Sequence, residues 1–221
     1  MTKKILFQSG VRFGRRAAAI LITGAFLFIP AVAHSEYVGG EGKNKPGLQV
    51  SFEGIFGLTT RDMEESRSSL YSFRFFLRPT FKIYNRIAFY GNIGAADFHQ
   101  GGADGALGLL TGGGAKVFIV NDNPYLNLYL DGQFSTFSSD DNGSGGRFFA
   151  YQFSGVISHQ AVNWIIYAGP KYSQLQNGAE ADQKVGIVIG LDYSITPMVF
   201  FTAEMHNFSD DALYVGVGYR F

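Results

Sequence analysis

The stretch 204–211 (EMHNFSDD) holds the densest set of reactive side chains in the sequence. Glu204, His206 and Ser209 are joined there by Asp210 and Asp211. A hydroxyl in reach of an imidazole that a carboxylate orients is the arrangement nucleophilic catalysis needs. Glu204, His206 and Ser209 are therefore the candidates for a hydrolytic group. The chain ends soon afterwards, at Phe221, which leaves little room for a further acid downstream. The plainer reading, which we favour, is a polar strand end running into an outer loop, with no catalytic residue. The other histidines, His34, His99 and His159, fall on separate connections or the tail. No H-x₃-H spacing occurs, so neither a cofactor nor a dedicated metal site is expected. The glycines of 104–118 (DGALGLLTGGGAKVF) lack the G-K-S/T or G-x-G-x-x-G context of a phosphate loop.

What positions these residues is a strand. Thr202, Glu204 and His206 alternate with Val199, Phe201, Ala203 and Met205. Successive strand side chains point to opposite faces, so one face is polar and the other apolar. The same two-faced pattern recurs along the chain. Tyr71, Phe73, Phe75, Leu77, Phe81 and Ile83 oppose Ser72, Arg74, Phe76, Arg78, Thr80 and Lys82. Leu126, Leu128, Leu130 and Phe134 oppose Asn127, Tyr129, Asp131 and Gln133. Ten strands are expected, near 47–58, 69–83, 86–98, 105–119, 124–137, 147–158, 163–175, 183–194, 198–207 and 212–221. Eight is the alternative.

The connections add an orientation. Counted back from Phe221, short links at 194–197, 159–162, 121–124 and 84–86 alternate with longer polar ones at 207–211, 176–182, 138–146, 99–104 and 59–68. Membrane barrels have short periplasmic turns and longer outer loops. The fold class that follows is all-β: a closed, antiparallel, up-and-down transmembrane β-barrel. Tyr84, Tyr125, Trp164, Tyr193, Phe200 and Phe221 cluster at the short-turn ends. Tyr71, Phe137, Phe148, Tyr172 and Phe208 cluster at the long-loop ends. These would form two interfacial girdles.

Composition agrees. Aromatics make up 16%, charged residues only 16%, and there are 29 Gly. Soluble domains average roughly 25% charged residues. No Cys is present, which excludes disulfides and thiolate metal sites. Lys3, Lys4, Arg12, Arg15 and Arg16 precede the apolar run 17–29, and Ala31-Val32-Ala33 follows Pro30. That order reads as a secretory signal peptide over 1–33. Residues 34–46 read as a flexible periplasmic tail, and 47–221 as the barrel. Without the signal, the 18 basic residues fall to 13 against 18 acidic ones. No basic face remains for nucleic acid.

The last strand carries a resemblance. Leu213, Val215, Val217, Tyr219 and Phe221 share one broad apolar face, opposite Ala212, Tyr214, Gly216, Gly218 and Arg220. This resembles the closing strand of small bacterial outer-membrane β-barrels. The resemblance implies that these five residues form the assembly signal read by the barrel assembly machinery. It also implies multi-pass residence in a Gram-negative outer membrane, among its lipids and lipopolysaccharide. Some barrels of that kind are enzymes. Lipid A deacylases use a Ser–His–acid group, but here Phe208 precedes Ser209, so their His-x-Ser pattern is not matched. Omptin-type proteases are similar ten-strand barrels with taller strands and longer loops than these.

Facing then assigns a lumen. Glu53, Asp131, Asp192 and Glu204 point inward with Arg74, Arg78, Lys82, Lys116, Lys171 and Arg220. Opposite charges in a narrow interior should pair, because an unpaired buried charge is expensive. The expected protein is a mostly plugged, porin-like barrel without enzymatic activity. Its acidic outer loops (Asp62, Glu64, Glu65, Asp104, Asp140, Asp141, Glu180, Asp182, Asp210, Asp211) would form a solvated rim in a structural or surface-interaction role, toward a ligand the sequence does not name. A narrow channel for small polar solutes and a lipid A-modifying hydrolase are the alternatives.

Overall fold

The computed structural model describes residues 48–62, 69–83, 86–97, 99–100, 107–120, 125–139, 146–176 and 184–221. The expected signal 1–33 and tail 34–46 lie outside them. So do Tyr84 and the rim acids Glu64, Glu65, Asp104, Asp140, Asp141, Glu180 and Asp182.

The described elements are all strands. They are β1 (Leu48–Asp62), β2 (Ser69–Ile83), β3 (Ile87–Ala96), β4 (His99–Gln100), β5 (Gly108–Val120), β6 (Leu126–Ser139), β7 (Gly146–Gln160), β8 (Trp164–Gln176), β9 (Val185–Ser194), β10 (Val199–Asn207) and β11 (Asp211–Arg220). Ten are long. β4 is a two-residue extension that pairs with the outer end of β2, at Leu70 and Tyr71. Between β3 and β4, Asp97 turns its carboxylate onto the Phe73 amide at 2.7 Å. Every long strand pairs antiparallel with its sequence neighbours, and β1 pairs with both β2 and β11. The sheet is therefore a closed ten-stranded up-and-down barrel without an open edge, the arrangement that satisfies all backbone groups in lipid.

Stepping from partner to partner around the wall fixes the geometry. The path from Leu48 through Ile83, Ile87, Val117 and Leu130 returns to β1 at Thr60, a stagger of 12 residues. With about 3.3 Å per residue and about 4.8 Å between strands, that stagger tilts the strands by about 40° and sets a radius of about 10 Å. The ladder breaks where a donor is missing: direct pairing lapses around Pro79 in β2 and around Pro170 in β8. The glycine-rich β5 carries its bulge at Ile119, between Phe118 and Val120, away from its glycines. Those glycines do a different job. Gly114 leaves room for the Tyr90 side chain, which a Cβ there would meet.

Facing follows the sequence alternation. On each long strand a large apolar side chain is exposed on the outside: Phe52, Leu77, Ile93, Leu109, Leu130, Phe153, Ile166, Val185, Met205 and Val217. An apolar belt on every strand of a closed barrel matches a hydrocarbon surround and would be costly in water.

The structure corrects three details. Phe137, Phe148 and Phe200 do not join the girdles. Phe137 is 0% exposed and stacks on Phe148 at 5.3 Å inside the barrel, and Phe200 is buried on the lumen side under Arg220. Their parity matches Gln133, Ser154 and Thr202, and parity outranks clustering. The link 207–211 is not a long loop. β10 and β11 join through 208–210 alone, with Phe208 at φ 75°. Ser209 and Asp210 turn inward, which tightens that link into a plug. Asp210 is accordingly buried and is not part of a solvated rim, whereas Asp211 is exposed.

Candidate functional site

The lumen has three levels. At the inner end, near the short turns, Lys82 sits 4.6 Å over the Phe118 ring and Arg220 sits 4.1 Å over Phe200. Arg220 also donates to Ser194 at 3.2 Å, rather than to Glu53 or Glu204. Aromatic faces hold these two cations where the sequence led us to expect carboxylates.

From the inner end through mid-height runs a polar cavity of about 250 Å³, walled by Glu53, Arg78, Lys82, Lys116, Asp192 and Glu204 among others and bounded on the outer side by Ile55, Phe76 and Leu110. Arg78 donates to Asn92 at 2.9 Å and lies over the Tyr90 ring at 5.0 Å. Glu53 is directly opposite Arg78 across the β1–β2 ladder, and Asp192 is opposite Thr202. Lys116 pairs with Asp131 at 3.8 Å. Tyr90 donates to the same carboxylate at 2.7 Å. Tyr167 donates to Glu204 at 2.7 Å. The Tyr167 ring covers Gly190, where a Cβ would collide with it.

In the outer half, one side of the lumen is apolar. Ile55, Phe76, Ala96, Leu110, Phe137 and Leu175 form one buried cluster, with Phe148, Ala150 and Tyr214 packed against it. These residues come from eight of the ten long strands. The other side is charged. Glu204 bonds His206 Nε2 at 2.7 Å, and His206 Nδ1 faces Lys171 Nζ at 2.6 Å. Lys171 bonds Asp210 directly. Asp210 also accepts from Ser209 at 2.8 Å and stands 3.9 Å from Arg61. Arg61 donates to Ser173 at 2.5 Å. Burial of Asp210 on its turn opposes its ionisation, but the His206 ring 3.7 Å away and the Lys171 and Arg61 charges outweigh that and hold its carboxyl well below the ordinary range.

The structure thus gathers Glu204, His206 and Ser209 around Asp210, but not as a triad. Both ring nitrogens of His206 are engaged, by Glu204 on one side and Lys171 and Asp210 on the other. The Ser209 hydroxyl donates to Asp210, so no imidazole stands ready to take its proton. Of the ten lumen charges read from the sequence, Arg74 binds Ser72 at 3.2 Å and Tyr214 at 3.4 Å, toward the outer end. Sequence reading missed Arg61 and Asp210, assigned to loops, and the tyrosines 90, 167 and 214. Parity on β1 continued past Thr59 was the signal for Arg61. For Asp210 no local signal existed, because its inward turn depends on the φ of Phe208.

No protein-family profile matches the chain. No curated protein matches it either. Solved outer-membrane barrels do. Neisserial surface protein A matches at 16% identity and a TM-score of 0.38, over 78% of this chain and 95% of that one. An outer-membrane channel from Pseudomonas putida F1 matches at 12% identity and a TM-score of 0.45, over 86% of this chain and 100% of that one. A de novo designed transmembrane β-barrel matches at 14% identity and a TM-score of 0.36, over 80% and 98%. The likeness is one of fold.

Proposed function

We propose that this protein is an integral outer-membrane β-barrel with a closed lumen, serving a structural or surface-interaction role rather than carrying solutes. The observation that carries the reading is the outer plug. Phe137 is 0% exposed, and Leu110, Phe76 and Ile55 beside it are almost as dry. A continuous aqueous path would wet such side chains. The charged half of the same level is tied by direct side-chain bonds and leaves a cavity of only about 40 Å³. The apolar belt supports membrane residence, and the terminal strand 213–221 supports assembly in the outer membrane. The outer connections then remain for contact with lipopolysaccharide and surface partners. A narrow conduit is the second reading, favoured by the 250 Å³ polar cavity that reaches from Lys82 at the inner end to Leu110 at the outer cluster.

The test combines location and permeability. The protein should fractionate with outer membranes and migrate faster on gels before boiling than after. Vesicles holding the refolded barrel should take up small sugars no faster than empty vesicles. Uptake above that baseline would support the conduit instead.

A further inference from the structure

We propose that the inner cavity is a binding pocket for one small zwitterion of the free amino acid class, its ammonium toward Glu53 and Asp192 and its carboxylate toward Arg78. The space suffices. A water-sized body needs roughly 10–15 Å³ by this measure, so 250 Å³ takes about 20 of them, more than a free amino acid fills. The cavity is reached from one end. Lys82, Asn127 and Gln160 line it at the short-turn rim, where Gln160 is exposed, and Ile55, Phe76 and Leu110 bound it on the outer side. That single mouth rests on the closed lumen proposed above.

The charges around it suit a molecule that bears both signs. Most of them are already engaged. Lys116 has Asp131, and Glu204 has Tyr167 and His206. Lys82 and Arg220 lie over rings, and Arg74 is bonded toward the outer end. Glu53, Asp192 and Arg78 are in no ion pair among the described residues. Asp192 takes a bond from Thr202. Glu53 and Arg78 are direct neighbours across the β1–β2 ladder, with Cβ atoms about 5 Å apart. A guanidinium and a carboxylate so placed close readily into a two-bond pair. Here they stay apart, because Arg78 is held aside. Its Nε donates to Asn92 at 2.9 Å, and its guanidinium lies 5.3 Å from the Phe76 ring centre and 5.0 Å from that of Tyr90. Its terminal nitrogens and the Glu53 and Asp192 oxygens are not sealed in protein, so they open on the cavity. Water wets these groups, but water gives no reason to hold opposite charges apart. Such separation preorganises both for a ligand with an ammonium and a carboxylate. A monovalent ion answers one sign only, and a neutral sugar answers neither. Low-dielectric walls strengthen both contacts.

The test uses the full barrel refolded in detergent micelles. Both ends of the barrel meet the solution there, so binding is read whether or not the lumen conducts. Titration calorimetry is run with L-serine and L-glutamine, and with glycolate, ethanolamine and glucose for comparison. The expected result is one saturable site for the amino acids. The single-charge compounds and glucose should bind about tenfold or more weakly, since each lacks a charge-assisted bond. Glu53→Gln and Asp192→Asn should each weaken amino acid binding about tenfold or more. Each should leave the unligated urea midpoint unchanged or higher, because it removes a lumen charge that has no ion pair. A purely structural carboxylate would lower that midpoint instead. Asp211→Asn, exposed at the outer link, should bind as the unaltered barrel does. No saturable heat with either amino acid, equal binding of glucose or a single-charge compound, or unaltered binding in both carboxylate variants would each overturn the pocket. The vesicle uptake described above bears on the closed lumen alone, so the two readings fail separately.

Discussion

Replacing Asp210 by Ala should be the most damaging single change in the lumen. Lys171 has a side chain 0% exposed and is bonded to Asp210 and to the His206 ring. Removing the carboxylate strands that ammonium and withdraws the carboxylate facing Arg61. Breaking a buried pair from one side costs about 3–5 kcal/mol, because the partner stays buried and uncompensated. The reverse truncation, Lys171→Met, should cost less, about 1–3 kcal/mol. It leaves Asp210 with Ser209 at 2.8 Å and Arg61 at 3.9 Å. The double variant should lose less than the two singles together, since an apolar pair of similar volume no longer holds a stranded charge. Equilibrium urea unfolding in micelles reads these differences through Trp164, the only tryptophan. A cost below about 1 kcal/mol for Asp210→Ala, or strictly additive effects, would refute the claim that this pair is buried and coupled.

Four further outcomes follow from the same geometry. Phe153→Arg places a charge on the lipid face, where the ring is 59% exposed, and should cost about 2–4 kcal/mol if that position is near the bilayer midplane; unfolding from lipid vesicles measures it. Gly190→Val should displace the Tyr167 ring and free Glu204 from its 2.7 Å bond, seen as loss of stability together with a changed tyrosine absorbance. Phe137→Ala should cost about 3–5 kcal/mol, as large-to-small changes in a dry cluster do, and unfolding in urea reads it. Acid should act through Asp210. Its folded pKa is held below its unfolded value, so its contribution is full above pH ~4 and is lost as pH falls through the folded value. Asp210→Asn should flatten that acid limb of the stability profile.

Much of the wall was legible because a strand's period of two leaves a residue no choice of face. Leu77 and Arg78 could not share a side, so belt and lumen separated along each strand. Closure was legible from the terminal strand and from the alternation of short and long links. The interior was harder. Arg220 and Lys82 were expected to seek carboxylates, but rings lay nearer, and cation–π contact competes with ion pairing where water is scarce. Phe137 and Phe148 looked like interfacial anchors because they lie near strand ends, yet their parity turns them inward. Asp210 was read as a solvated rim charge. Its burial depends on a three-residue link with Phe208 in the left-handed region, a conformation that no residue type at that position announces.

The central claim is a closed lumen with a dry outer half. Single-channel recording in planar bilayers tests it most directly, with the refolded protein beside a Phe76→Ala/Leu110→Ala/Phe137→Ala variant that is shown to stay folded. The unaltered barrel should insert without conductance steps, and the variant should show them. Resolved, reproducible steps from the unaltered barrel would contradict the account.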